Sequence, residues 1–152
     1  MGVGAARSLL NENEAAAASF RRALELNPSQ PGAARGLGWA QITLERYCDA
    51  ARSFRRAVNS APKSVGDWLA LGGSEDHCGR PRAAKRAWLH ADRLAPNNAW
   101  THSVLAIAYK QLGNKRESRR QTALAGSLQA GIMPIPQRER IGGTPMERRK
   151  PK

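Results

Sequence analysis

The chain has 152 residues, 25 of them basic and 12 acidic, for a formal charge of +13. That length holds one compact domain or one elongated repeat array, and no stretch approaches the roughly 18 consecutive apolar residues that cross a bilayer. The charge bears on partners, favouring acidic proteins, anionic surfaces or nucleic acid, and does not decide the fold.

Met1 to Leu10 has no charged segment ahead of an apolar one, so it does not read as a secretory signal. Ala6 stands where a myristoylation motif wants serine or threonine. The Asn11-Glu12-Asn13-Glu14 run is predicted as a turn leading into a helix over Ala15 to Leu26, whose alanines favour that state. Pro28 stops it, since proline cannot continue a helix and disfavours helix at the residue before it.

The same pattern then returns every 34 residues. Ala16, Phe20, Ala23 and Pro28 become Ala50, Phe54, Ala57 and Pro62, and then Ala84, Trp88, Ala91 and Pro96. Ahead of each set lies a first helical pattern, marked by Gly4, by Leu37 and Gly38, and by Leu71 and Gly72. Spacings of three and four put these side chains on one helix face. The small residues suit close backbone approach, and Phe20, Phe54 and Trp88 suit the gap toward the neighbouring pair. The second unit runs from about Gly32 to Ala61, its helices meeting near Glu45 to Asp49. The third runs from about Val65 to Ala95 and turns at Gly79-Arg80-Pro81, with proline at a helix start. Asn97-Asn98 cap the fourth, which divides at Gly113-Asn114 and places Ser118 and Thr122 where alanine and an aromatic stood. Gly131 can end its last helix in a left-handed conformation. The expected fold class is all-α: a solenoid of about four antiparallel helix pairs over residues 1–130. The repeats fall near 1–30, 31–64, 65–98 and 99–130. A short basic tail at 131–152 reads either as disordered or as folding Ile132, Met133 and Ile135 over the open end.

Trp68-x2-Leu71-Gly72, Ala50-x3-Phe54 with Pro62, Ala16-x3-Phe20 with Pro28, and Tyr109 resemble the tetratricopeptide repeat family. Glu75 departs from it, standing where the family has tyrosine. The resemblance implies a right-handed solenoid whose first helices line a concave groove that holds peptide segments. It also implies an incomplete first unit, lacking about one turn at its front.

Carried across in register, the groove positions are Arg35, Trp39, Ile42 and Thr43, then Leu69, Gly73, Asp76 and His77, then Trp100, Ser103, Ile107 and Lys110. Trp39, Leu69, Trp100 and Ile107 are expected to anchor a partner segment, and Arg35 and Lys110 to steer its acidic groups. Each tryptophan has a second reading, packing against a neighbouring helix. Arg52, Arg86 and Arg120 recur at the period with Lys85 and Arg119 beside them, and Arg21, Arg22, Arg55 and Arg56 add a second set. This basic surface reads as plain solvation or as an anionic-surface or nucleic-acid contact. Self-association through the uncapped C-terminal end is a further expectation.

No catalytic constellation is visible: His77, His90 and His102 fall on three different helices without metal-binding spacing. Gly72-Gly73 lies inside a helix and forms no phosphate loop. The expectation is a non-catalytic protein-interaction module without cofactors. Cys48 opens a second helix. Cys78 falls where the other units carry Leu10, Leu44 and Leu112, so it reads as a small buried residue. The two are expected to stay unpaired, in a reducing cytoplasm or at the envelope if the chain begins upstream.

Overall fold

The computed structural model describes residues 2–131. Seven helices and no strand occur among them: α1 (Gly2–Leu26), α2 (Pro31–Thr43), α3 (Tyr47–Ser60), α4 (Val65–His77), α5 (Pro81–Leu94), α6 (Ala99–Gln111) and α7 (Lys115–Gln129). Helices α2/α3, α4/α5 and α6/α7 form three antiparallel pairs, and each helix packs on the next in chain order. The C-terminal tail and the contacts expected of Ile132, Met133 and Ile135 lie outside the described residues.

The three turns inside the pairs close in the same way. A backbone N–H bond of 2.8 Å runs from Arg46 to Gln41, from Arg80 to Glu75 and from Asn114 to Tyr109. Such a closure needs a left-handed residue just past the helix. Gly79 and Gly113 supply it, each at φ 77°, and Glu45 takes φ 57° in the second unit. The second helices also end alike, with the N–H of Asn27, Ala61 and Ala95 reaching back four residues to Ala23, Ala57 and Ala91. Side-chain caps start α4, α6 and α7. Ser64, Asn98 and Asn114 accept from the backbone N–H of Asp67, Thr101 and Glu117, satisfying donors that have no partner within the helix.

The first unit differs from expectation. No turn forms at Asn11 to Glu14, and α1 runs straight through it. Asn11 stands where the later turns have Glu45, Gly79 and Gly113. Nothing there obliges the backbone to turn left-handed, and the following alanines propagate helix instead. The C-terminal half of α1 still keeps the register, since Ala17 and Leu24 are buried against α2.

The core is built from rings seated on glycines. A Cβ added at Gly38 meets the Phe54 ring at 2.7 Å, and one added at Gly72 falls on the Trp88 indole. Phe54 is fully buried and Trp88 nearly so, and the Trp88 Nε1–H donates to the Leu69 carbonyl at 3.2 Å. Both rings also reach the next pair: Phe54 touches the cluster of Ala70 and Leu71, and Trp88 that of Leu105 and Ala108. Phe20 lies over Gly36 of α2. In the last pair Ala106 and Thr122 replace glycine and ring. Ser118 there donates to the Ala106 carbonyl at 2.9 Å, and buried Gln121 bonds His102 at 2.7 Å.

The cysteines correct the sequence reading. Cys48 at the start of α3 and Cys78 at the end of α4 form a disulfide, with Cα atoms 5.0 Å apart. Cys78 is half-buried at the helix cap rather than enclosed in the core. Periodicity located each cysteine within its own unit, but α3 and α4 pack across the boundary between units, and that contact brings the two together. Beside them Tyr47 stacks on His77 with ring centres 4.7 Å apart.

Gly72 and Gly73 should respond oppositely to alanine. Gly73→Ala meets open space and should raise stability by up to ~1 kcal/mol through helix propensity. Gly72→Ala should lower it by about 1–3 kcal/mol through the clash with Trp88. Urea unfolding of both variants checks the sign. The bridge closes a 30-residue separation, so reduction or Cys48→Ser should cost about 3–4 kcal/mol, read as a lower urea midpoint with dithiothreitol.

Candidate functional site

The first helices of the three pairs lie side by side. Ile42 of α2 packs on the cluster that includes Ala70 and Leu71 of α4, and Leu69 of α4 packs on the cluster that includes Leu105 and Ala108 of α6. The face they present carries the exposed large apolar side chains Trp39 (52% exposed), Trp100 (65%) and Ile107 (51%). Trp39 has one edge-on ring contact, with Phe54 at 5.3 Å. Ile42 and Leu69 are half-buried and belong to the packing.

At the register position of Trp39 and Ile107, the middle unit has Gly73, and at that of Trp100 it has Gly66. A Cβ at either glycine meets nothing within 4 Å. The face is therefore hollow at α4, with Trp39 on the α2 side and Trp100 and Ile107 on the α6 side. Gly73 was named from the sequence as a groove position, but its role as a recess emerges only when all three first helices are compared.

The two cations proposed to steer acidic groups separate. Arg35 forks onto Asp67 of α4, Nε to Oδ1 at 2.6 Å and Nη2 to Oδ2 at 2.7 Å, and Asp67 is 2% exposed. The hydrogen bond and charge of Asp67 push the Arg35 guanidinium up from its ordinary value. Arg35 thus neutralises a buried carboxylate and ties two repeats together. Sequence reasoning missed Asp67 because it sits in the capped first turn of α4, where an acid is ordinary on its own. Lys110 is exposed and makes no such pair among the described residues.

The basic surface is largely engaged within the chain. Arg52 pairs with Asp49 and Arg120 with Glu117. Arg56 donates to the Pro28 carbonyl at 2.9 Å, and Lys85 sits 5.2 Å over the Tyr109 ring. Arg55 and Arg80 both reach Glu75, which is 1% exposed. The residue departing from the repeat pattern is thus a buried acid held by two arginines. Arg86 and Arg119 make no ion pair or hydrogen bond among the described residues.

The three histidines stay apart. His77 stacks on Tyr47, His90 stacks on Trp68 at 4.3 Å, and His102 is buried between Gln121 and the Pro96 carbonyl. Burial pushes the Asp92 carboxyl up, offset in part by His102, whose Nε2 lies 3.7 Å away. Among the described residues no three His, Cys, Asp or Glu side chains gather to hold a metal, and no helix is long and apolar enough to cross a membrane.

Stacked helix pairs with bulky second-helix residues on small first-helix ones define a helical-repeat scaffold. Residues 3–30, the front of the array, match the family model described as Tetratricopeptide repeat. Solved structures of MamA share the fold. MamA of MSR-1 is 22% identical at a TM-score of 0.72, over 79% of this chain and 69% of that one. MamA of AMB-1 is 24% identical at 0.73, over 77% and 64%. MamA from Desulfovibrio magneticus RS-1 is 19% identical at 0.73, over 80% and 69%. The chain thus spans about two thirds of the length of these structures. No curated protein sequence matches it.

Arg35→Ala strands the buried Asp67 charge and should cost about 1–3 kcal/mol. Lys110→Ala should leave stability unchanged. Urea midpoints of the two variants measured side by side test that division of labour.

Proposed function

We propose that the chain binds a segment of a partner protein along its first-helix face. Trp39, Trp100 and Ile107 supply the apolar contact, and the hollow at Gly73 receives one partner side chain. The observation that carries this reading is three large apolar side chains more than half exposed around a recess floored by glycine. Exposed tryptophans flanking a pocket are the usual anchors of protein interfaces. Lys110 remains to meet an acidic group on the partner, whereas Arg35 acts in the scaffold.

The alternative, electrostatic attachment to nucleic acid or an anionic surface through Arg52, Arg55, Arg56, Lys85, Arg86, Arg119 and Arg120, has less support. Most of these side chains already contact groups of the chain itself. The Cys48–Cys78 pairing also moves the proposed setting. Such bonds persist in oxidising compartments, which supports an oxidising setting over the reducing cytoplasm.

Co-purification from the native host under non-reducing conditions, with mass spectrometry, identifies the partner. Trp39→Ala with Trp100→Ala should then reduce capture at least tenfold with helical content intact. Gly73→Leu should block it equally by filling the recess. Binding should change modestly with salt. Capture that survives both variants, or that falls by orders of magnitude between low and moderate salt, refutes the groove reading.

A further inference from the structure

A cavity of about 250 Å³ opens between the second helices α3 and α5, floored by α4. Val58, Leu71 and Ala87, all nearly buried, give it an apolar base. The Trp68–His90 stack forms one wall, its planes 11° apart. That wall is fixed, because the Trp68 Nε1–H donates to the Pro62 carbonyl at 2.8 Å. Glu75 also lines the cavity, but its charge is met by Arg55 and Arg80.

The cation left over is Arg86. Its periodic equivalents, Arg52 and Arg120, each pair with an acid three residues earlier on the same helix, Asp49 and Glu117. In the third unit that position is Ala83, which lines the cavity. Arg86 is therefore the one arginine of its row that lacks its built-in carboxylate, and the space where that group would lie is cavity.

We propose that this cavity binds a small organic carboxylate carrying an apolar ring. The ligand's carboxylate takes the place that Asp49 and Glu117 fill in the neighbouring units, as a charge-assisted pair with Arg86. Its ring lies on Val58, Leu71 and Ala87 against the Trp68–His90 wall. The site is on the second-helix side and does not depend on the peptide-binding face.

Phenylacetate is the probe, titrated into the full 152-residue chain and followed by NMR, with benzyl alcohol and inorganic phosphate as comparators. The expected result is saturable shifts of the Trp68 indole N–H and the His90 ring. Arg86→Gln should weaken binding at least tenfold, as loss of a charged hydrogen bond does. Ala83→Asp, which restores the internal acid in the first turn of α5, should weaken it as much, and Trp39→Ala should leave it unchanged. No saturable shift in the wild-type chain overturns the proposal. So does binding by Arg86→Gln and Ala83→Asp within twofold of wild type. Benzyl alcohol or phosphate binding as tightly as phenylacetate overturns it too, since each supplies only half of the recognised chemistry.

Discussion

The array depends on one contact, a large ring on the second helix of a pair lying on a glycine of the first. Phe54 over Gly38 and Trp88 over Gly72 set how closely each pair closes, because any side chain at those glycines occupies the volume of the ring. The far side of the same ring meets the next pair. One residue therefore fixes both the spacing within a unit and the offset to the next. Where ring and glycine are absent, in α6 and α7, polar groups take over: Ser118 reaches the Ala106 carbonyl and Gln121 reaches His102. A buried hydrogen-bonded pair holds two helices with a directional contact in place of volume.

Charge follows the same economy. The formal +13 suggests a broadly cationic surface, yet many arginines serve the chain's own structure. Arg35 answers a buried aspartate across the α2–α4 seam, Arg46 pairs with Glu14 of α1 at 2.6 Å, and Arg55 and Arg80 converge on one buried glutamate. All but the Arg80 pair join neighbouring units, so the positive residues act as crosslinks before they act as a surface. What stays open to partners is smaller and more specific: an apolar face with a recess on one side, and on the other Arg86, the arginine of its row without an internal acid.

Much of this was legible in the sequence. Pro28, Pro62 and Pro96, with the ring and glycine positions at the same interval, gave the helix pairs, their order and their turns. Trp39, Trp100 and Ile107, named from the register, are exposed. What stayed hidden was pairing between units. Arg35 read as a groove cation because its register position was considered without Asp67, which lies 32 residues on in the next unit. Cys48 and Cys78 read as unrelated because Cys78 was compared with its periodic equivalents and Cys48 was placed only at the start of a second helix. The missing turn in α1 had another cause: Asn11 tolerates both left-handed and helical backbone, so local preference did not decide between them.

Arrays of this kind ordinarily lose order one unit at a time, since each unit holds only its neighbours. The covalent tie between α3 and α4 changes that accounting. It spans the boundary between the second and third units and so welds the middle of the chain into a block that opens together. Fraying is thereby left to α1 and to the last pair. The cavity at Arg86 lies wholly within the welded block, whereas the hollow at Gly73 has one wall, Trp100 and Ile107, on the last pair.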